Sequence, residues 1–142
     1  MGRSRGGRTT KLVAIADRKG LPVSVVIDAG QKHDVKLVEP AVKEAFGKVP
    51  AKLVGDTAFD SNQLDARLGK KGIELIAPHN PTRKNKTQDG RPLRRYCRRW
   101  RIEHLFASLK RLRRITNRWE YKPENYLAFV LLGCVKLLLR GF

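Results

Sequence analysis

The chain has 142 residues, 31% charged and 41% hydrophobic, a globular composition unlike that of a disordered or collagen-like chain. Lys and Arg total 31 against 13 Asp and Glu, a formal charge of +18, which points to a polyanionic partner, nucleic acid ahead of an anionic membrane surface. Two cysteines and three histidines, with no Cys-x-x-Cys or His-x-x-x-His pair, argue against a disulfide scaffold and a structural zinc site.

The opening Gly2 to Arg8 is basic and glycine-bearing, and no apolar stretch of signal-peptide kind follows it. Thr9 to Asp17 alternates loosely and ends at Arg18-Lys19-Gly20, and Leu21 to Asp28 is rich in β-branched residues. The pair reads as a β-hairpin turning at Gly20. Ala29 to Lys32 breaks the strand. A helical pattern then runs from Val35 to Phe46, with Asp34 as its expected N-cap. Ala51 to Gly55 reads as a short buried strand leading into Asp56. Ser61 to Lys71 reads as a helix, with Leu64 and Leu68 four apart and Gly72 just past its end. Glu74 to Ala77 reads as the last strand. Residues 78–95 form a polar, basic, proline-bearing loop. Leu93 to about Ile115 reads as one long helix, and Pro123 opens a final apolar helix to about Leu139. That helix has an apolar run from Tyr126 interrupted by Lys136, short of the roughly 20 residues a membrane span needs. The expectation is a single mixed α/β domain over residues 1–142, in a reduced cytosolic compartment and not in a membrane.

The charge is uneven. Residues 83–118 hold 14 basic and 2 acidic groups, +12 of the +18, whereas residues 1–82 hold 14 and 9 and residues 119–142 hold 3 and 2. Most of the basic groups in the central segment are arginines, whose planar forks suit phosphate. Such a cluster neutralises several neighbouring phosphates at once and releases their counterions.

Two carboxylates stand out. Asp56 comes directly after a strand, where α/β folds place their sites. A helix-capping role is the alternative, and Ser61 or Asp60 is better placed for it. Glu103 is the only acid between Arg91 and Trp119. At about 100° per residue, Tyr96, Arg99, Glu103 and Lys110 fall within about 60° of one another on a helix. Ile102, Leu105, Leu109 and Leu112 form the separate core stripe. A surface salt bridge with Arg99 is the plain reading of Glu103, but a Tyr-Arg-Glu-Lys stripe beside a core stripe reads as a catalytic edge. Paired carboxylates suit divalent cations and two-metal phosphoryl transfer, with Arg99 and Lys110 beside the phosphates.

The spacing Tyr96, Arg99, Glu103, Lys110 resembles the Y-R-E-K signature of DDE transposases from bacterial insertion sequences. GRSRGGRTTKL at the start, GQKHD at Gly30 to Asp34, GDTAFDS at Gly55 to Ser61 and RIEHLFASLKRLRRITNRWEYK with its apolar tail resemble successive blocks of that family. The resemblance covers nearly the whole chain. It implies a ribonuclease-H-like mixed sheet flanked by helices. The implied activity is Mg²⁺- or Mn²⁺-dependent DNA cleavage and strand transfer at element ends. By the same resemblance Asp56 is the second catalytic aspartate and Glu103 the catalytic glutamate, both metal ligands. Tyr96, Arg99 and Lys110 contact DNA, with Arg95, Arg98, Arg113 and Arg114 of the basic segment beside them, and Asp60 orders the site.

The first family aspartate lies upstream of the GRSRGGRTTK block, on a central strand. The sequence therefore resembles a domain truncated at its first strand, with two sheet edges left open. Asp17 and Asp28 sit at the ends of later strands and do not stand in for the missing ligand. The expected partners are double-stranded DNA, an upstream transposase polypeptide and a second copy of the chain. The isolated chain is expected to be weakly stable, and a cooperative melt of a monomer at ordinary mesophilic temperature would contradict that. Two further readings remain: a relic that binds DNA through residues 83–118 without cutting it, and a stand-alone Mg²⁺ nuclease. Trp100 and Trp119 are expected in the core, the histidines in solvent, and Cys97 and Cys134 as free thiols.

Overall fold

The β-branched runs on either side of Gly20 form a hairpin in the computed structural model, which describes residues 2–4, 7–47, 50–84 and 99–140. Strand β2 (Gly7–Ala16) pairs antiparallel with β3 (Pro22–Ala29), Leu12 opposite Ile27 and Ala14 opposite Val25. Asp17 holds the turn, its Oδ1 accepting the N–H groups of Lys19 and Leu21 at 2.8 Å each. Gly20 sits at φ +82°, where a side chain would be strained. A short β1 (Gly2–Ser4) folds back on the start of β2, Gly2 opposite Thr9. The remaining elements are α1 (Val35–Lys43), β4 (Lys52–Val54), α2 (Asn62–Lys70), β5 (Glu74–Ile76), α3 (Trp100–Lys110), α4 (Arg113–Thr116) and α5 (Pro123–Arg140). The architecture is mixed α/β, with one sheet ordered β1-β2-β3 and another made of β4 and β5. The chain divides into two compact units, residues 1–46 with 101–142, and residues 47–100.

In the first unit Val25 of β3 meets Leu105 and Leu109 of α3, Ile115 of α4, and Tyr126, Val130 and Cys134 of α5. The apolar run that opens at Pro123 is thus a packed core helix. Gly133 lets α5 come close: a Cβ there would lie 2.8 Å from Ile115 Cδ1 and 2.9 Å from Leu112 Cδ1. The Tyr126 hydroxyl donates to the Ile115 carbonyl at 3.0 Å, which satisfies a polar group inside the core. Helix α1 buries Leu37, Val38, Ala41 and Val42. Ser24, 1% exposed, donates to the Ala41 carbonyl at 2.6 Å and ties α1 to β3.

Three local expectations change here. Asp34 makes no side-chain cap on α1 and instead pairs with Lys11 at 2.9 Å. Helix α1 stops at Lys43, short of Phe46. The long helix ends at Lys110, and a separate turn, α4, follows an extended Leu112. The reason is angular. In a straight helix Ile115 would point about 120° away from Leu109, yet Ile115 is only 6% exposed. The break turns it into the core, and Thr116 Oγ1 donates back to the Lys110 carbonyl across the corner. Residues 93–98, the expected start of that helix, lie outside the described residues.

The second unit is a parallel β-α-β crossover. Lys52 to Val54 pairs with Glu74 to Ile76, and α2 buries Leu64 and Leu68 in a core with Ile73, Leu75, Ile76 and Ala77. Ser61 caps α2, its hydroxyl accepting the Leu64 N–H at 3.4 Å. The expected burial of β4 does not hold: Lys52 and Val54 are exposed and Leu53 half-buried. Among the described residues β4 has a strand partner on one side only, so it sits at an edge.

Candidate functional site

Asp56 lies half-buried just after β4 and opens a tight 3-10 turn, Thr57–Phe59. Its Oδ1 accepts the Ala58 N–H at 2.9 Å. Asp56 therefore does act as a cap, of this short turn and not of α2. The turn ends at Asp60, whose N–H reaches the Thr57 carbonyl at 3.2 Å. One carboxylate oxygen of Asp56 is thus oriented by the backbone, which fixes the side chain at the end of a strand.

Asp60 anchors the far end of that turn. Its side chain is 4% exposed. Oδ2 accepts the Asn80 N–H at 2.9 Å, and Oδ1 takes the Arg83 guanidinium. His79 Nδ1 lies 3.0 Å from Oδ1 and 3.1 Å from Arg83 Nη1. A proton on Nδ1 therefore serves the carboxylate, and a bare Nδ1 serves the guanidinium. Arg83 also donates to the Asn62 side chain. Burial opposes ionisation of Asp60, but the Asn80 amide, His79 and Arg83 outweigh it and hold the carboxyl below its ordinary value. Burial, with the neighbouring Asp60 charge, pushes Asp65 up. His79, expected in solvent, is instead 8% exposed at its side chain because it packs into this cluster. His33 and His104 are exposed as expected.

On α3 the separation of stripes holds over the described part. Leu105 and Leu109 are buried, Ile102 is half-buried, and Glu103 and Lys110 are exposed. Arg99 is half-buried just ahead of the helix. Tyr96, Arg95, Arg98 and Cys97 lie outside the described residues. Arg113 is exposed at the start of α4. Arg114 is exposed but engaged, 3.1 Å from Glu120 and over the Phe129 ring at 5.3 Å. Trp100 and Trp119 are 58% and 78% exposed, against the expectation of core packing; the core of the first unit, which holds Trp119, is filled mainly by aliphatic side chains and Tyr126.

Sequence reasoning missed the cluster of Asn62, His79, Asn80 and Arg83 around Asp60. The signal available was the density of His, Asn and Arg right after β5. It also missed Arg118, whose guanidinium reaches the Glu120 carbonyl at 2.9 Å, the Tyr121 carbonyl at 3.1 Å and Thr10.

Among the described residues no three His, Cys, Asp or Glu side chains form a metal-holding group. Hard carboxylate oxygens such as those of Asp56 still suit Mg²⁺, which keeps several waters and takes only one or two carboxylates. Among the described residues no helix is long and apolar enough to cross a membrane.

Comparison with known proteins decides the family. The model of the transposase DDE domain matches residues 2–138. The chain belongs to this family. A protein of Brucella ovis described as the transposase for insertion sequence element IS6501 is 33% identical over 135 residues, 93% of this chain and 99% of the relative. A Burkholderia cepacia protein described as the transposase for insertion sequence element IS402 is 27% identical over 130 residues. That match takes in 84% of this chain and 58% of the relative. No solved structure matches the chain. The part matched by the DDE family includes the Asp56 turn, the Asp60 cluster, α3 and the loop around Arg118.

Proposed function

We propose that the chain acts in DNA transposition as the C-terminal catalytic part of a DDE transposase. The family match over residues 2–138 carries this reading. Asp56 and Glu103 would hold Mg²⁺ or Mn²⁺, and Arg99, Lys110 and the basic segment with Arg95, Arg98, Arg113 and Arg114 would bind DNA phosphates beside Tyr96. The bound ion supplies Lewis-acid stabilisation of charge at the scissile phosphate. The chain's own residues position the DNA: guanidinium forks grip phosphate oxygens in fixed orientation, and the backbone-held Asp56 keeps one carboxylate in place.

The fold reading that goes with this is a ribonuclease-H-like domain spanning residues 1–142, with a basic segment over 78–95, of which residues 85–95 lie outside the described residues. In this reading the protein works in the bacterial cytoplasm on the nucleoid, with an upstream transposase polypeptide as a further partner. The one-sided pairing of β4 supports a further strand. Pairing of two element ends favours a homodimer. The second reading is a relic that binds DNA through its basic 83–118 region without cutting it, favoured by the concentration of +12 of the +18 charge there.

Mn²⁺ titration separates the two. Asp56→Asn and Glu103→Gln are each expected to weaken Mn²⁺ binding about tenfold, the loss of one charged ligand. Binding that ignores both substitutions defeats the catalytic reading and leaves the relic. Duplex DNA affinity should fall steeply with salt in either case; an affinity indifferent to salt removes the basic-segment interface altogether.

A further inference from the structure

Residues 117–122 link α4 to α5 without helix or strand. Exposure alternates from Asn117 to Tyr121. Arg118 is half-buried and the Glu120 side chain is 6% exposed, whereas Trp119 is 78% and Tyr121 76% exposed. Alternation with period two is the mark of an extended segment with an inner and an outer face. The inner face is tightly tied. Arg118 Nε donates to the Glu120 carbonyl at 2.9 Å and Nη2 to the Tyr121 carbonyl at 3.1 Å. Its Nη1 donates to Thr10 Oγ1, and its guanidinium lies over the Tyr126 ring at 5.3 Å. Glu120 Oε2 accepts the Trp119 N–H at 3.2 Å, and Oε1 takes Arg114 at 3.1 Å.

The backbone of residues 119–121 is therefore pinned from beneath, and the two rings are held outward by that pinning. Leaving a Trp and a Tyr in water forgoes a large apolar burial, so a fixed loop that presents both is suited to a ligand with flat faces. The surrounding charge narrows the choice. Between Lys110 and Lys122 the only acid is Glu120, and its carboxylate is turned inward onto Arg114. Lys110, Arg111, Arg113 and Lys122 are exposed. Aromatic faces interleaved with cations fit a nucleic-acid strand whose bases are unpaired. A duplex keeps its base faces stacked and closed to a loop of this kind.

We propose that Trp119 and Tyr121 form a stacking platform for unpaired bases of single-stranded DNA, with Arg111, Arg113 and Lys122 taking the adjoining phosphates. The proposal rests on the DNA-binding reading above and names a subsite and a strand state within it. Arg118 and Glu120 are positioning residues of the platform, because they act through the loop backbone.

The test compares an oligothymidylate of about 12 nucleotides, within the usual single-strand site size, with a duplex and an oligouridylate of the same length, using the full chain. Trp119→Ala and Tyr121→Ala are each expected to weaken oligothymidylate binding about fivefold or more, the loss of one stacked base, and to leave duplex affinity within about twofold. Trp119→Phe should restore most of the affinity. Oligothymidylate should quench tryptophan emission clearly more in the wild type than in Trp119→Phe, where Trp100 alone emits. Unchanged circular dichroism and urea midpoints are expected for both exposed positions; if Trp119→Ala fails to fold, Trp119→Phe with its quenching readout and Tyr121→Ala still decide the matter. Equal losses on oligothymidylate and duplex, or none on either, overturn the platform. Tighter, Trp119-dependent binding of oligouridylate overturns the assignment to DNA. Absence of salt-dependent binding to any of the three in the wild type instead overturns the DNA reading on which the platform rests.

Discussion

Asp60→Ala should lose about 3 kcal/mol of stability, the scale for removing one partner of a buried ion pair. The carboxylate is 4% exposed and takes three kinds of donor: the Asn80 amide, His79 and Arg83. Alanine leaves the Asn80 N–H unsatisfied and the half-buried Arg83 without its carboxylate. Asp60→Asn keeps an acceptor and the shape, so its loss should be smaller. The pH dependence has a definite sign. The folded-state carboxyl titrates below its ordinary value, so its contribution is complete above about pH 4 and fades as pH falls further. Urea unfolding at neutral pH and near pH 3 should show a wild-type margin over Asp60→Asn that narrows at the acidic end. Equal urea midpoints for wild type and Asp60→Ala at neutral pH would refute the anchoring role. The turn that carries Asp56 ends at Asp60, so the same substitution should also disturb the position of Asp56.

Leu109→Ala is expected to cost about 3–4 kcal/mol, the scale of a core leucine truncation that leaves a cavity. Leu109 is 1% exposed in the cluster formed by β3, α3, α4 and α5, and its Cδ2 lies 3.1 Å from where a Cβ on Gly133 would stand. The gap left by its truncation faces a helix already held close, so little collapse can fill it. Leu139→Ala is the matched control, because Leu139 is 71% exposed and its loss should stay within about 0.5 kcal/mol. Urea midpoints of the two variants give the comparison. A Leu109→Ala loss below about 1 kcal/mol would mean that α3 and α5 are not packed as described.

Much of the fold follows from local pattern. The hairpin around Gly20 is legible because β-branched residues crowd both arms, and α2 because Leu64, Leu68 and Gly72 mark its face and its end. The corner at Leu112 was hidden by a core stripe whose spacing runs on through Leu105, Leu109 and Leu112; the warning lay in Ile115, an apolar residue out of phase with that stripe. The Asp60 cluster was not legible, because its donors stand 19 to 23 residues away and no local period connects them. The exposure of Trp119 defied hydrophobicity because Arg118 and Glu120, its polar neighbours, occupy the inner face of the loop. Asp56 was legible as a strand-end carboxylate, but its capping of Ala58 depends on a 3-10 turn that short sequence patterns do not announce.

The burial of Cys134 gives the first unit a built-in reporter. The free thiol is 5% exposed, and burial pushes it up to about 11. At neutral pH only about one molecule in ten thousand then carries the reactive thiolate, and it sits on the inner face of α5, in the core with β3 and α3. Alkylation of this sulfur therefore awaits separation of α5 from β3 and α3. In a chain with Cys97 replaced by serine, the labelling rate counts those openings directly and converts core breathing into a chemical clock.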